Sequence, residues 1–392
     1  NGMGGCIWDW VDQAIVAPED IKNGELKVNG FNKYRNGNDY PEAPHQGNFV
    51  NNGVITADRQ PTGKLAEVKR IYQYIKFGNF NKTAKVIRIT NKYESIDLEG
   101  MTLTWKVLHE GFEVESGSMT LPSIPSSTFK DLTIPYTTSI DNGEYLLNVS
   151  VCLSQATSWA EVGHAIASTQ YTLQERNSLA SADASAGTPL KVTKSGTTYY
   201  IEGEDMSMKV NTTNGITYWN MGGLDVITAN SSGKTAPAYS NYRWIENDAP
   251  YGTDPYYSAE NGITNRTFSV KDSGDGATVT ITETASGNLC NYKFVYTVNR
   301  DGTVDLDAQY SPRSNSLRRI GMQMQMNPEL AMTEYYARGP LDNTIDRKQG
   351  ADLGIYSLPV KDYHVDYVRP QTSGDRQDVR WIMFFNEAGD GI

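Results

Sequence analysis

The hydrophobic period of this chain changes once, near Gly78, and the change limits what each side can become. Before it, Leu65, Val68, Ile71, Tyr72 and Ile75 fall on one apolar stripe. Lys64, Glu67, Lys69, Arg70 and Gln73 fill the opposite face, so the spacing predicts an amphipathic helix that Gly78 stops. After it, Leu103, Trp105 and Val107 alternate with Thr102, Thr104 and Lys106. Tyr145, Leu147, Val149, Val151 and Leu153 alternate in the same way behind the turn signal Asn142-Gly143, and Val162, His164 and Ile166 continue the pattern. A period of two is that of a strand with one buried face.

Ahead of the helix, Gly4-Gly5 leads into Cys6-Ile7-Trp8, which reads as a buried strand of a parallel sheet. A long irregular stretch, Pro18 to Asn48, is rich in Asn, Gly and Pro. Strand, long loop and helix make one β/α unit, expected to be the last of a (β/α)8 barrel whose other units precede Asn1. The strands that follow, with Trp105 buried among them, predict an immunoglobulin-like sandwich of about 100 residues. Residues 176–189 are small, polar and without period, as a linker is.

From Leu190 the pattern is β again. Strands are expected at 199–202, 267–270 and 278–282, and a hairpin runs from 294–298 through Asp301-Gly302 to 304–306. Met322, Met324 and Met326 are expected on the core face of one strand. So many short strands point to a larger two-sheet sandwich. The fold class is therefore mainly β and multidomain, with divisions at 1–78, 79–187 and 188–392.

A formal charge of −11 disfavours nucleic acid and anionic membranes as partners. No apolar run approaches the roughly 18 residues of a membrane-spanning helix. Cys6, Cys152 and Cys290 are far apart and are expected to be small buried side chains, not a disulfide framework. The four histidines show no metal-binding spacing. The first residue is Asn1 and the last three, 390–392, begin a new strand pattern, so the chain is expected to be a fragment whose compartment is unreadable.

Three blocks carry a family likeness. They are Gly4-Gly5-Cys6-Ile7-Trp8-Asp9-Trp10-Val11-Asp12-Gln13, then 48–61 (NFVNNGVITADRQP), then 338–347 (RGPLDNTIDR) with 367–371 (YVRPQ) and Arg380-Trp381. In this order they resemble the large β-galactosidases of glycoside hydrolase family 2. The segment Trp159 to His164 resembles the family's sandwich, and 317–321 its C-terminal super-sandwich. The third region is thus expected to be a truncated super-sandwich.

The resemblance implies a retaining hydrolase of terminal non-reducing β-D-galactosides, homo-oligomeric as a full-length protein. A retaining glycosidase needs two carboxyl groups roughly 5–5.5 Å apart. The family places both glutamates upstream of the block containing Trp8, so this chain alone is expected to be inactive, and no residue in it is assigned as acid or nucleophile. Asp9 and Asp12 are close in sequence but point apart on a strand end.

Trp8 matches the tryptophan that lies against the galactose. On the residues alone it is equally a core tryptophan near a barrel rim. Phe49 and Asn52 match the residues that give a backbone carbonyl and a side-chain oxygen to Na+. On the residues alone, Asn52-Gly53 reads as a tight turn. The remaining sodium carboxylate is expected upstream, and Mg2+ would be held by residues outside this chain. Residues 35–40 depart from the family's GDFGD-like run, and Asp342 stands where glutamate is more frequent. Arg338, Asp346 and Arg347 read as an ion-pair and turn network. The alternative function is a non-catalytic carbohydrate-binding or scaffold protein built of β-sandwiches.

Overall fold

The computed structural model describes residues 4–16, 21–22, 25–26, 34–47, 49–176, 187–227, 237–241, 263–313, 317, 319–365 and 373–392. The chain forms two compact units. One is Asn1–Leu179 with Glu334–Ile382; the other is Ala180–Thr333 with Met383–Ile392.

In the first unit, helix α1 spans Gly63–Tyr72, and the Thr62 side chain caps it by accepting the Lys64 N–H. The helix is shorter than its apolar stripe suggests. Gln73 turns to ψ 138°, and Ile75 enters a strand instead. That residue is buried and pairs with Asn91. An i+10 position on a helical stripe and a buried strand position carry the same apolar residue, so period alone did not separate them.

A seven-stranded sandwich follows. Its strands are β1 (Ile75–Phe77), β2 (Val86–Asn91), β3 (Thr102–His109), β4 (Phe112–Thr120), β5 (Phe129–Thr133), β6 (Tyr145–Cys152) and β7 (Ala165–Gln174). One sheet runs β1-β2-β5 and the other β4-β3-β6-β7, with every pairing antiparallel. The alternation read in β3 and β6 is the one observed: Leu103, Trp105, Val107, Leu147, Val149 and Val151 all face the core. Trp105 lies opposite Gly117 on β4, where a Cβ would come within 2.2 Å of the indole ring. Only glycine leaves room for the ring there. Buried Asn91 donates to the carbonyls of Ile96 and Ile124 and accepts the Tyr93 N–H, which satisfies it fully. His164 lies just outside β7 and is exposed, so the strand starts later than expected.

The second unit opens with five antiparallel strands in chain order: β8 (Lys191–Ser195), β9 (Thr198–Glu202), β10 (Met206–Asn211), β11 (Gly215–Met221) and β12 (Leu224–Ile227). A four-stranded sheet follows in chain order, comprising β14 (Ile263–Asp272), β15 (Thr278–Gly287), β16 (Cys290–Asn299) and β17 (Val304–Pro312). The expected strands and the hairpin at Asp301-Gly302 are present, and Gly302 adopts φ +86° in its turn. The methionine row is different. Only β18 (Gly321–Gln323) is a strand, paired with β13 (Ala238–Ser240), and Met322 is exposed. Met324 and Met326 lie past its end and pack partly on the core, as flexible thioethers can without strand geometry.

Three further strands, β19 (Met332–Gly339), β20 (Asp352–Pro359) and β21 (Trp381–Phe385), form a sheet in the order β20-β19-β21. Buried Tyr336 and Leu353 pack on Leu108 and Leu146, on the outer face of the sandwich. Arg70 of α1 joins Asp352 through both carboxylate oxygens, at 2.9 and 2.8 Å.

Cys152 and Cys290 are buried as expected, but Cys6 is exposed; all three are free. The linker core (177–186) and the block 367–371 lie outside the described residues. Among the described residues no helix is long and apolar enough to cross a membrane.

Candidate active-site residues

Cys6-Ile7-Trp8 is not a buried strand. All three residues are exposed, and Trp8 is 72% accessible. Ordered pairing begins one residue later. Asp9 N–H donates to Asn52 O (2.8 Å) and Asp9 O accepts from Val54 N–H (3.0 Å). Ile55 N–H reaches Trp10 O (3.0 Å), and Asp12 N–H reaches Ile55 O (3.1 Å). Val11 and Ile55 form a parallel bridge. One residue bonding to two positions spaced by two is the parallel ladder pattern. A parallel strand is buried only when covered on both faces. Among the described residues the ladder partner of 9–12 is 52–55, and Trp8 lies beyond its end. The Trp8–Asp9 peptide is cis.

The ladder brings the Trp8 end of one segment beside the Phe49–Asn52 turn. Phe49 is 64% exposed, and Asn52 Nδ2 donates to Phe49 O at 3.0 Å. The Asn52 side chain is therefore held beside the Phe49 carbonyl through its amide nitrogen. Asn51 Oδ1, in the same turn, is buried without a hydrogen-bond partner. An oxygen-rich turn with an unsatisfied oxygen fits a weakly held hard cation.

Behind this turn sits a charged pair that sequence reasoning missed. Asp12 is 8% exposed, and its Oδ1 accepts the Gly53 N–H at 2.6 Å. Lys64 Nζ donates to Gly53 O at 2.5 Å. Burial pushes the Asp12 carboxyl up, against the Gly53 N–H and the Lys64 charge, and burial likewise pulls the Lys64 ammonium down. Thr62 Oγ1 donates to Val54 O at 2.6 Å, tying the helix cap to the same strand. Lys64 had looked like an ordinary polar-face residue, and only its place at the second helical position marked it.

Asp9 does not oppose Asp12. It accepts from Trp10 N–H and from the Gln13 amide. Among the described residues no three His, Cys, Asp or Glu side chains are grouped to hold a metal. Residues 36–40, where the family run is altered, form an ordered turn closed by Asn36 and Asp39. Arg338 pairs with Asp378 (2.5 Å) and Arg347 with Asp342 (3.0 Å), while Thr344 bonds Asp346. These residues make the ion-pair and turn network read from the sequence.

Three family models match in chain order: glycosyl hydrolases family 2, TIM barrel domain (3–77), β-galactosidase domain 4 (87–174) and β-galactosidase small chain (202–390). A β-galactosidase of Priestia megaterium is 27% identical over 100% of this chain and 37% of its own length. One from Pseudoalteromonas haloplanktis is 26% identical over 98% and 38%. The chain thus spans less than two-fifths of these relatives, and matches their C-terminal part. An exo-chitosanase of Amycolatopsis orientalis aligns at 12% identity and TM-score 0.22, over 67% of this chain and 29% of that one, too slight a likeness to build on. With three models in family order and relatives along its whole length, the chain belongs to the β-galactosidases of glycoside hydrolase family 2.

Proposed function

We propose that this chain supplies part of the sugar-binding surface of a retaining β-galactosidase, while the catalytic acid and nucleophile come from outside it. The observation that carries this reading is the parallel ladder between 9–12 and 52–55, which sets Trp8 beside the Phe49–Asn52 turn. The Trp8 indole offers a flat apolar face to the C–H face of galactose. Phe49 O and Asn52 Oδ1 would hold a sodium ion on the sugar's 6-hydroxyl side. Sodium bound there would add a positive charge and order that hydroxyl. Phe49 O and the Asn52 amide hold their positions beforehand, so little is lost in ordering them.

Cleavage develops positive charge at the anomeric carbon and negative charge on the leaving oxygen. Trp8 neither donates a proton nor attacks, and Asp12 is occupied with a backbone N–H. The chain by itself is therefore expected not to turn over a chromogenic β-galactoside that the longer protein cleaves. In the longer protein, Trp8→Ala should raise KM, and Asn52→Ala should raise the sodium concentration needed for half-maximal activity. Turnover by the isolated chain, lost on changing Asp9 or Asp12, would place the acids here and overturn the reading. Galactoside binding by a longer protein that lacks turnover would favour a non-catalytic binding module instead.

A further inference from the structure

We infer that Asp12 and Lys64 are positioning residues that fix the Asn52 side chain for its cation by clamping the peptide groups on both sides of Gly53. The inference rests on the cation-site reading of Phe49 and Asn52.

The peptide group joining Asn52 to Gly53 is held at both ends. Its carbonyl, Asn52 O, accepts the Asp9 N–H at 2.8 Å, and its N–H, on Gly53, donates to Asp12 Oδ1 at 2.6 Å. A peptide group is planar, so two bonds on opposite edges fix its orientation. The next carbonyl, Gly53 O, is held by Lys64 Nζ at 2.5 Å. Three hydrogen bonds thus set the backbone from which the Asn52 side chain projects, two of them from charged groups. Bonds to charged groups are stronger than neutral ones.

The approach is close enough to require glycine. A Cβ on Gly53 would lie 2.1 Å from Asp12 N and 2.5 Å from Ile55 O. The backbone that carries Lys64 is held in turn. Its N–H is capped by Thr62, and the neighbouring Gly63 abuts Asp342 O, which a Cβ would approach to 2.0 Å. Taking a carboxylate and an ammonium out of water is costly. Here both reach a single glycine, the one beside the proposed ligand Asn52. In metal sites, groups that orient the ligands are worth roughly 10–100-fold in metal affinity.

The test uses the full-length enzyme carrying these residues. Sodium chloride is titrated at constant ionic strength with potassium chloride, and binding is followed by 23Na line broadening and tryptophan fluorescence beside galactoside turnover. Lys64→Met keeps the aliphatic stem and loses the donor; Asp12→Ala loses the acceptor. Both are expected to raise half-saturating sodium roughly 10–100-fold. Asp12→Asn keeps an acceptor oxygen and should recover most of that loss.

Melting temperatures that fall while half-saturating sodium stays at the parent's value would leave the pair a purely structural role and overturn the inference. Should Asp12→Ala not fold, Lys64→Met decides alone. Asn52→Ala separates the two levels. If it leaves the titration unchanged, the cation site itself is misassigned; if it shifts the titration and Lys64→Met does not, only the clamp fails.

Discussion

Replacing Arg380 by alanine strands a buried carboxylate. Glu144 lies just ahead of β6 and is 3% exposed. Arg380 donates to it through Nη2 at 2.5 Å and Nε at 3.1 Å, and the Tyr336 hydroxyl donates as well. Burial pushes the Glu144 carboxyl up, but the hydrogen bonds from Arg380 and Tyr336 outweigh it, and the net position is below the ordinary value. Without Arg380 the charge keeps one phenolic donor in a dry setting. Breaking such a pair from one side costs about 3–5 kcal/mol, and the surviving Tyr336 bond puts the expectation at the lower end.

The assay is urea denaturation followed by tryptophan fluorescence, at pH 7 and again in acid. A group whose folded pKa is depressed adds stability above its unfolded value, about 4.5 here, and loses it as pH falls through the folded value. The gap between Arg380→Ala and the parent should therefore narrow as pH falls below the unfolded value. The double variant Glu144→Gln with Arg380→Met removes both charges and should recover most of the loss. A loss under about 1 kcal/mol at pH 7, or an equal gap at pH 3, would refute the argument that a stranded charge sets the cost.

Two further outcomes concern the sandwich. Trp105→Ala should cost about 3–5 kcal/mol by chemical denaturation, towards the lower end because its buried Nε1 has no partner to lose. Gly117→Ala should cost about 1–3 kcal/mol by overpacking the indole, and much less in the Trp105→Ala background, a coupling that a double-mutant cycle would read directly.

The faces of β3 and β6, the hairpin at Asp301-Gly302 and the family blocks were legible in the sequence, because each is local. Alternation tells which side of a strand is buried, and a turn needs only its own glycine. What alternation does not name is the neighbour. Cys6-Ile7-Trp8 looked buried because an apolar run gives no sign of whether a second strand and a covering helix lie against it. Ile75 looked helical because one apolar residue satisfies either period.

The clamp on Gly53 joins residues 41 and 11 positions apart, and the Glu144–Arg380 pair joins residues 236 apart. Such partners meet only when strands are in register, and nothing in the residues around Lys64 or Arg380 announces the meeting. The sequence determined the periods, the turns and the family. The tertiary structure decided which charges would be buried together, since the cost of burying each is met only by a partner brought from elsewhere in the chain.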